Sequence, residues 1–434
     1  MRRGHSHHLP TSQSASELFK VVISTSAGLY LTYTFFPFSD LYLRFQGSLG
    51  DPAGIMTASQ EQPLVLLFGY ESSPFTNKVK LALRMKGVTY TYIPVPSMMP
   101  RPTLLNTFGL TYRKIPVLTI GRDLYCDTSL IIEALEHWFP ESQGWGSVYP
   151  KCKVGEENWD YRGIARGFAS FWTDRPFFRA TTGLIPPAVW RTTFGKDRAK
   201  LIGHPLDADK LARKVPENLS NLDLHLSILE PQFRASGSGK VKTGWLLPTP
   251  KPSLADVSLY YQLRWALDIS SYKGVENLSG GGTKDAAEGQ RAEVASRVFN
   301  AQRYPGLHAW FTAFESYMSS LPSVESSAKE TDSTWRNELQ RQSFMGSSAQ
   351  AGESLVPSCV GSMDSVTDAE RGLKMGSMVQ VAPDDTGRGD PVFGKVLALG
   401  VEEVVVEPER KGSVEIRIHF PRVGFTVRTV AGKL

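Results

Sequence analysis

The spacing of apolar residues changes period twice along this chain, and no other feature restricts its architecture as much. From Pro63 a short apolar run, "PLVLLFGY", is followed by "PFTNKVKLALRMKG" and then by "VTYTYIPV". A short run closed by Gly-Tyr reads as a buried strand. In the second run Val79, Leu81, Ala82 and Met85 share one helical face, and Gly87 supplies the stop. The third is β-branched and aromatic, a second strand parallel to the first, giving a right-handed βαβ unit. The stretch "LLNTFGLTYRKIPVLTIGRDLYCDTSLIIEALEHWFP" then adds a short helix and the strand "IPVLTIG". A turn at Gly121-Arg122-Asp123, the strand "LYC" and a helix from Asp127-Thr128-Ser129 complete it. The expected order over residues 61–142 is βαβ-α-ββα.

Over residues 150–322 the period becomes helical. Aromatic and charged residues recur at that spacing in "NWDYRGIARGFASFWTDRPFFRAT", "LSNLDLHLSILEPQF", "SLADVSLYYQLRWALD" and "YPGLHAWFTAFESYMSSL". Strand signals are absent, so an all-α domain is expected. Residues 279–290, "SGGGTKDAAEGQ", read as a flexible insertion. Residues 323–362, rich in Ser, Glu and Lys, read as a linker. Over 363–434 the period becomes two, with Gly, Asp and Pro turns between the runs. A small closed or half-closed β-barrel is the expected solution, because closure removes exposed strand edges.

Residues 1–60 stand apart as a basic and apolar N-terminal extension. "VVISTSAGLYLTYTFFPF", 21–38, has about the length of a membrane span, but Ser, Thr and Gly dilute it. It reads as a targeting or anchor segment, as a stretch upstream of a start at Met56, or as a segment packed on the body. A disordered extension is a further reading. With 41% hydrophobic and 21% charged residues the 434-residue chain is globular on average. A net charge of +5 with scattered basic residues argues against nucleic acid as a partner. Three cysteines, Cys126, Cys152 and Cys359, with no CxxC spacing, suit a reducing compartment and no structural zinc. His5, His7 and His8 offer at most adventitious metal binding.

The βαβ-α-ββα order, the "RKIPVL" stretch and the "DTSLII" helix start together resemble the thioredoxin-like N-terminal domain of glutathione S-transferases. The helical region resembles their C-terminal domain, with "SLADVSLYY", 253–261, similar to that family's N-capping box. The resemblance covers residues 63–322. The β tail lies outside the usual family, and the tail-bearing architecture resembles a fungal subgroup. The implied fold class is an α/β thioredoxin-like domain, then an all-α domain, then a small C-terminal β-barrel.

The resemblance also implies site residues and a cosubstrate. Ile115–Pro116 resembles the family's cis-proline, whose preceding backbone groups pair with the cysteinyl part of glutathione like an added strand. Asp127 and Thr128 match the pair that binds the γ-glutamyl end, where a helix N-terminus favours a carboxylate and Asp127 would meet the ammonium. Both residues are equally readable as N-caps. Lys114 is either a contact to the glycyl carboxylate or a solvated lysine. "SSPF" resembles the family's active-site stretch, with Ser73 where cysteine-type members carry their cysteine. A hydroxyl bonded to sulfur at a helix N-terminus favours the thiolate. Ser73 is otherwise only a cap, and Ser72 and Tyr70 are its rivals. Trp159, Arg162 and Arg166, with Phe168 and Trp172, are expected to line an electrophile pocket between the domains, or to be helix core. Cys126, on an apolar strand, reads as a buried inert thiol. His419, Arg422 and Arg428 are expected on an exposed face or turn of the tail.

The leading reading is a cytosolic glutathione transferase-like enzyme. It would need glutathione as cosubstrate and no metal, and act on an apolar electrophile. A non-catalytic binding or scaffold protein using the tail for a protein partner is the rival. A glutathione-dependent isomerase or dehalogenase is the third reading. Homodimerisation is the habit that the resemblance implies. Mitochondrial or membrane association would follow if residues 1–55 belong to the protein.

Overall fold

The computed structural model describes residues 21–24, 30–33, 62–154, 157–234, 240–241, 244–278, 294–346 and 365–430. The chain divides into two units, Met1–Glu61 and Gln62–Leu434. In the first, β1 (Val21–Ser24) pairs antiparallel with β2 (Tyr30–Tyr33). The described parts of the expected anchor segment are thus extended strands. The rest of that segment, the three N-terminal histidines, Met56, the 279–290 insertion and Cys359 lie outside the described residues. Among the described residues no helix is long and apolar enough to cross a membrane.

The second unit opens with β3 (Val65–Gly69), α1 (Pro74–Lys86) and β4 (Tyr90–Pro94), the two strands parallel. Pro74 occupies the first turn of α1, where a missing N–H costs nothing, and Gly87 ends the helix at φ 70°. Next come α2 (Pro102–Phe108), the antiparallel pair β5 (Val117–Ile120) and β6 (Asp123–Cys126), and α3 (Thr128–Trp138). The strands run β6-β5-β3-β4. Alternation sends Val65, Leu67, Leu118 and Tyr125 against Val79, Leu83, Ile131 and Leu135 of α1 and α3. Leu66, Phe68, Val117 and Leu124 face the other way, into a second core.

A two-residue strand pair, β7 (Lys153–Val154) with β8 (Glu157–Asn158), precedes the helices. Then α4 (Arg162–Gly167) runs through a π-helical stretch, Phe168–Phe177, into α5 (Phe178–Thr182). The region continues with α6 (Pro187–Trp190), α7 (Thr193–Ile202), α8 (Ala208–Arg213) and α9 (Val215–Leu229). It ends with α10 (Leu254–Ser270), α11 (Val275–Leu278) and α12 (Pro305–Ser320). The expected capping box starts α10: Asp256 accepts from the Ser253 N–H at 2.8 Å and its hydroxyl at 2.9 Å. The same carboxylate accepts from Leu246 N at 2.8 Å and Trp310 Nε1 at 2.9 Å, so its buried charge is fully hydrogen-bonded. A buried ion pair, Lys78 with Asp174 at 2.8 Å, ties α1 to the helical region.

Two expectations are corrected downstream. The stretch expected as a linker from 323 is built into the fold as far as 346. There β9 (Glu325–Ser327) pairs parallel with β4. After it, α13 (Thr334–Arg341) buries Trp335 and Leu339, with Trp335 edge-on to Phe68 at 5.4 Å. The expected barrel, in turn, is not closed. After α14 (Ser365–Glu370) come β10 (Met378–Pro383), β11 (Val392–Leu399), β12 (Glu403–Pro408), β13 (Arg417–Pro421) and β14 (Phe425–Thr429). They pair antiparallel in the order β14-β10-β11-β12-β13. Among the described residues β13 does not close on β14. It pairs parallel with β6, placing Arg417 opposite Asp123 and His419 opposite Tyr125. The result is one ten-stranded sheet, β14-β10-β11-β12-β13-β6-β5-β3-β4-β9. Joining β13 to β6 buries two edges at once, which is what closure would have achieved.

The tail strands therefore share a core with the first domain. Val381, Val406 and Phe420 pack in the same cluster as Leu66, Phe68 and Val117. They also dock on α2: Ser413 N donates to Asn106 O at 2.8 Å and Val414 N to Thr107 O at 3.0 Å. Gly109, at φ 68°, is required there twice over, since a side chain would also run into the Arg410 carbonyl.

Candidate functional site

Strand register assembles the expected residues. Phe68 lies opposite Val117, and Val117 opposite Cys126. The segment Tyr70–Ser73 follows β3, Ile115–Pro116 precedes β5, and Asp127–Thr128 follows β6, so all three reach the same end of the sheet. With strands about 4.8 Å apart they lie within roughly 10 Å. The Ile115–Pro116 peptide is cis, as is Met99–Pro100.

Ser73 caps α1. Its backbone is extended (φ −76°, ψ 118°), its Oγ accepts from Thr76 N at 3.2 Å, and it is 1% exposed. The hydroxyl proton stays available for donation. Ser72 Oγ is shut off from solvent and has no partner among the described residues. The Ser72 carbonyl accepts from Trp265 Nε1 at 2.9 Å, which pins the loop to α10. Tyr70 is half-buried against two apolar clusters.

Asp127 caps α3, accepting from Ser129 N at 3.0 Å and Ser129 Oγ at 2.6 Å. Its backbone sits at φ 73°, ψ 138°, a conformation that L side chains rarely adopt. Thr128 beside it is buried. Lys114 is partly exposed and paired: its Nζ lies 2.5 Å from Asp385 Oδ1, in the β10–β11 loop. That loop is a strap fastened to residues 111–114 and to α7. Thr111 Oγ1 donates to Pro391 O at 2.8 Å, Arg113 pairs with Asp390 at 3.5 Å, and Gly387 N donates to Leu201 O at 2.8 Å.

The three residues expected at the electrophile pocket are engaged with other side chains. Arg162 donates to Glu133 Oε2 at 3.1 and 2.6 Å. Arg166 pairs with Glu133 at 3.7 Å and with Glu402. The reason is electrostatic: Glu133 is buried on α3 and needs compensating cations. Trp159 packs against Tyr161, with ring centroids 5.7 Å apart. None of the three lines the cavity of about 510 Å³ that opens beside Ser72, between α1 and α10.

Cys126 is buried, and burial first, then the nearby Asp127 charge, pushes its thiol well above the ordinary value. Cys152 is also buried and donates to Pro248 O at 2.9 Å. His419, expected to be exposed, is buried at the β13–β6 seam. Its Nδ1 lies 2.5 Å from Glu403 Oε1 and its Nε2 2.8 Å from Asp123 Oδ1. Arg417 adds bonds of 2.6 and 2.8 Å to Asp123. Burial pulls the imidazole down, but the bonds to Asp123 and Glu403 and their charges outweigh it, and its pKa is raised. Arg422 is held by Asp368 at 2.6 and 2.8 Å, and Arg428 is exposed. Asp385, Arg113 and the Asp123–Glu403 pair were missed in the sequence. The one available signal was charge: basic "RK" at 113–114 against acidic "DDTGRGD" at 384–390.

Comparison with known proteins agrees with the fold. A profile of the family "Glutathione S-transferase, N-terminal domain" matches residues 67–143. A "Domain of unknown function (DUF7962)" matches residues 181–278. A "Probable glutathione S-transferase" of Solanum tuberosum is 30% identical over 132 residues, 30% of this chain and 51% of that protein. "Glutathione S-transferase U3" of Arabidopsis thaliana is 31% identical over 78 residues, 18% of this chain and 35% of that protein. The chain thus spans about a third to a half of these relatives. A solved "GST-like protein from Pseudomonas syringae" superposes with a TM-score of 0.51 at 22% identity, covering 85% of this chain and all of that one. Residues 67–143 are thus similar in sequence to a glutathione S-transferase N-terminal domain, and the fold is of the kind seen in that GST-like protein.

Proposed function

We propose that the chain binds glutathione at the sheet end described above and activates its thiol for attack on an apolar electrophile. The observation that supports this is the register Phe68–Val117–Cys126, which gathers two helix N-termini and the Ile115–Pro116 turn at one edge. Ligands of open α/β sheets bind beyond strand ends of this kind. The N-terminus of α3 would take the γ-glutamyl carboxylate, with Thr128 beside it and Asp127 facing the ammonium. The backbone of Ile115 would take the cysteinyl segment as an added strand. The free O–H of Ser73 would donate to sulfur, and the N-terminus of α1 would stabilise the thiolate, with the proton leaving to solvent. The thiolate then attacks carbon: a C–S bond forms and a C–halide bond, for an aryl halide, breaks with loss of halide. Lys114 reaches the glycyl carboxylate when Asp385 gives way.

The test is retention on immobilised glutathione followed by thioether formation with 1-chloro-2,4-dinitrobenzene. Wild type should be retained and turn over. Ser73→Ala should lower kcat by one to two orders of magnitude with little change in retention, whereas Tyr70→Phe should not. No retention would remove the reading, and unchanged Ser73→Ala kinetics would move the thiol contact to Tyr70 or Ser72. A second reading, a non-catalytic binding protein, is favoured by one observation: Ser73 is buried as a cap while Asp385 holds Lys114. Retention with no turnover by any variant would select it.

A further inference from the structure

Two charge runs lie far apart in the sequence and are opposite in sign. One is Arg113-Lys114. The other is the strap, "DDTGRGD" at 384–390, with three aspartates against one arginine. Folding brings them together. Lys114 Nζ lies 2.5 Å from Asp385 Oδ1, and Arg113 lies 2.8 Å from Asp197 and 3.5 Å from Asp390. Both cations that precede Ile115 thus already face carboxylates. From this we infer that the glutathione site proposed above selects a γ-glutamyl-cysteinyl thiol whose glycyl end carries no negative charge, an ester or an amide. The inference rests on that reading and narrows its substrate class.

The backbone around Asp385 is pinned on both sides. Asp384 N donates to Gly424 O at 2.9 Å and Gly387 N to Leu201 O at 2.8 Å. Arg388 Nε closes the loop on itself, donating to Asp385 O at 2.7 Å, and Thr111 Oγ1 donates to Pro391 O at 2.8 Å. The segment that carries Lys114 is held from the tail as well. Tyr112 is buried, with its ring 5.8 Å from that of Phe420 and 6.0 Å from that of Phe425. Asp385 is therefore carried to Lys114 by the fold. An ammonium has three donors but one charge. A glycyl carboxylate arriving at Lys114 either displaces Asp385 or sits beside it as a like charge, and both outcomes cost free energy. An esterified or amidated end leaves the pair closed, and its carbonyl accepts from a second Nζ–H. The strap thus discriminates by repulsion of the acid, the usual means by which a site rejects a near relative of its ligand.

The test is calorimetric titration of the full chain with glutathione and with its glycyl monoethyl ester, side by side at low salt. The ester should bind about threefold tighter, a difference of the size that an exposed ion pair supports. Raising the salt to about 1 M, where charges are screened beyond roughly 3 Å, should bring the two affinities together without any substitution. Asp385→Asn, at an exposed position, should do the same by tightening glutathione and leaving the ester unchanged. Glutathione binding as tightly as its ester, or tighter, overturns the inference and leaves the glutathione reading standing. A preference for the ester that survives both high salt and Asp385→Asn also overturns it, because the ethyl group then carries the preference. Binding of neither thiol removes the glutathione reading and the inference with it.

Discussion

At the scale of single residues, Asp127 carries the clearest conflict between stability and use. Its φ of 73° is one of two positive values outside glycine among the described residues. Such a conformation costs an L residue about 1–3 kcal/mol, and capping of α3 offsets only part of that. Asp127→Gly removes the strain and loses only a few tenths of a kcal/mol as a cap. It should therefore unfold in urea at an unchanged or higher midpoint, by up to roughly 1 kcal/mol, while glutathione affinity falls. Asp127→Ala keeps the strain, loses the cap, and should be less stable by about 1–2 kcal/mol. A parallel fall of stability and affinity in the glycine variant would reduce Asp127 to a structural cap. The positions of Ser73 and Asp127 were legible in the sequence because helix starts are written locally. The partner of Lys114 was not, because Asp385 is 271 positions away.

At the scale of elements, the seam between β6 and β13 rests on charge. Asp123, Glu403 and Arg417 face His419, and the Tyr125 ring stacks on it at 4.4 Å. An imidazole with a carboxylate on each nitrogen is held as the cation. Its folded pKa is above the unfolded value of about 6.5. Its contribution is thus complete below that value and is lost as pH rises through the raised one. Asp123 has the opposite sign. Burial pushes it up, but His419 and Arg417 outweigh that and lower its pKa. Its contribution is complete above its ordinary value and is lost only as pH falls through the lowered one. Stability should decline above about pH 6.5 with a component missing from His419→Gln, as followed by thermal melting across pH. The same melts should show a cost of about 1.5–3 kcal/mol for His419→Leu at pH 6, since it removes a charged hydrogen-bond partner from the buried Asp123 and Glu403. The pairing itself could not be read from the sequence. Alternation in "IRIHF" marks a strand but not its neighbour, and β9 is three exposed polar residues with no period at all. In α13 only Trp335 and Leu339 are buried, too few to separate a helix from a polar linker.

At the scale of the whole second unit, the β10–β11 strap makes the tail a participant in the first domain's site. Asp385 would compete with the glycyl carboxylate of glutathione for Lys114. An exposed ion pair of this kind contributes about 0.2–1 kcal/mol, so Asp385→Ala should tighten glutathione binding a few-fold by calorimetry. Weaker binding in that variant would mean that the strap supports the site and does not compete for it. The shared ten-stranded sheet has a consequence for how the protein is made. Leu66, Phe68 and Val117 belong to a cluster completed by residues as late as Val427. A ribosome adding about 5–20 residues per second leaves that face uncovered for on the order of 15–60 s after β6 emerges. During that time an unpaired β6 edge and an open apolar face are exposed together, so a nascent chain of this design has reason to need a chaperone that mature protein does not.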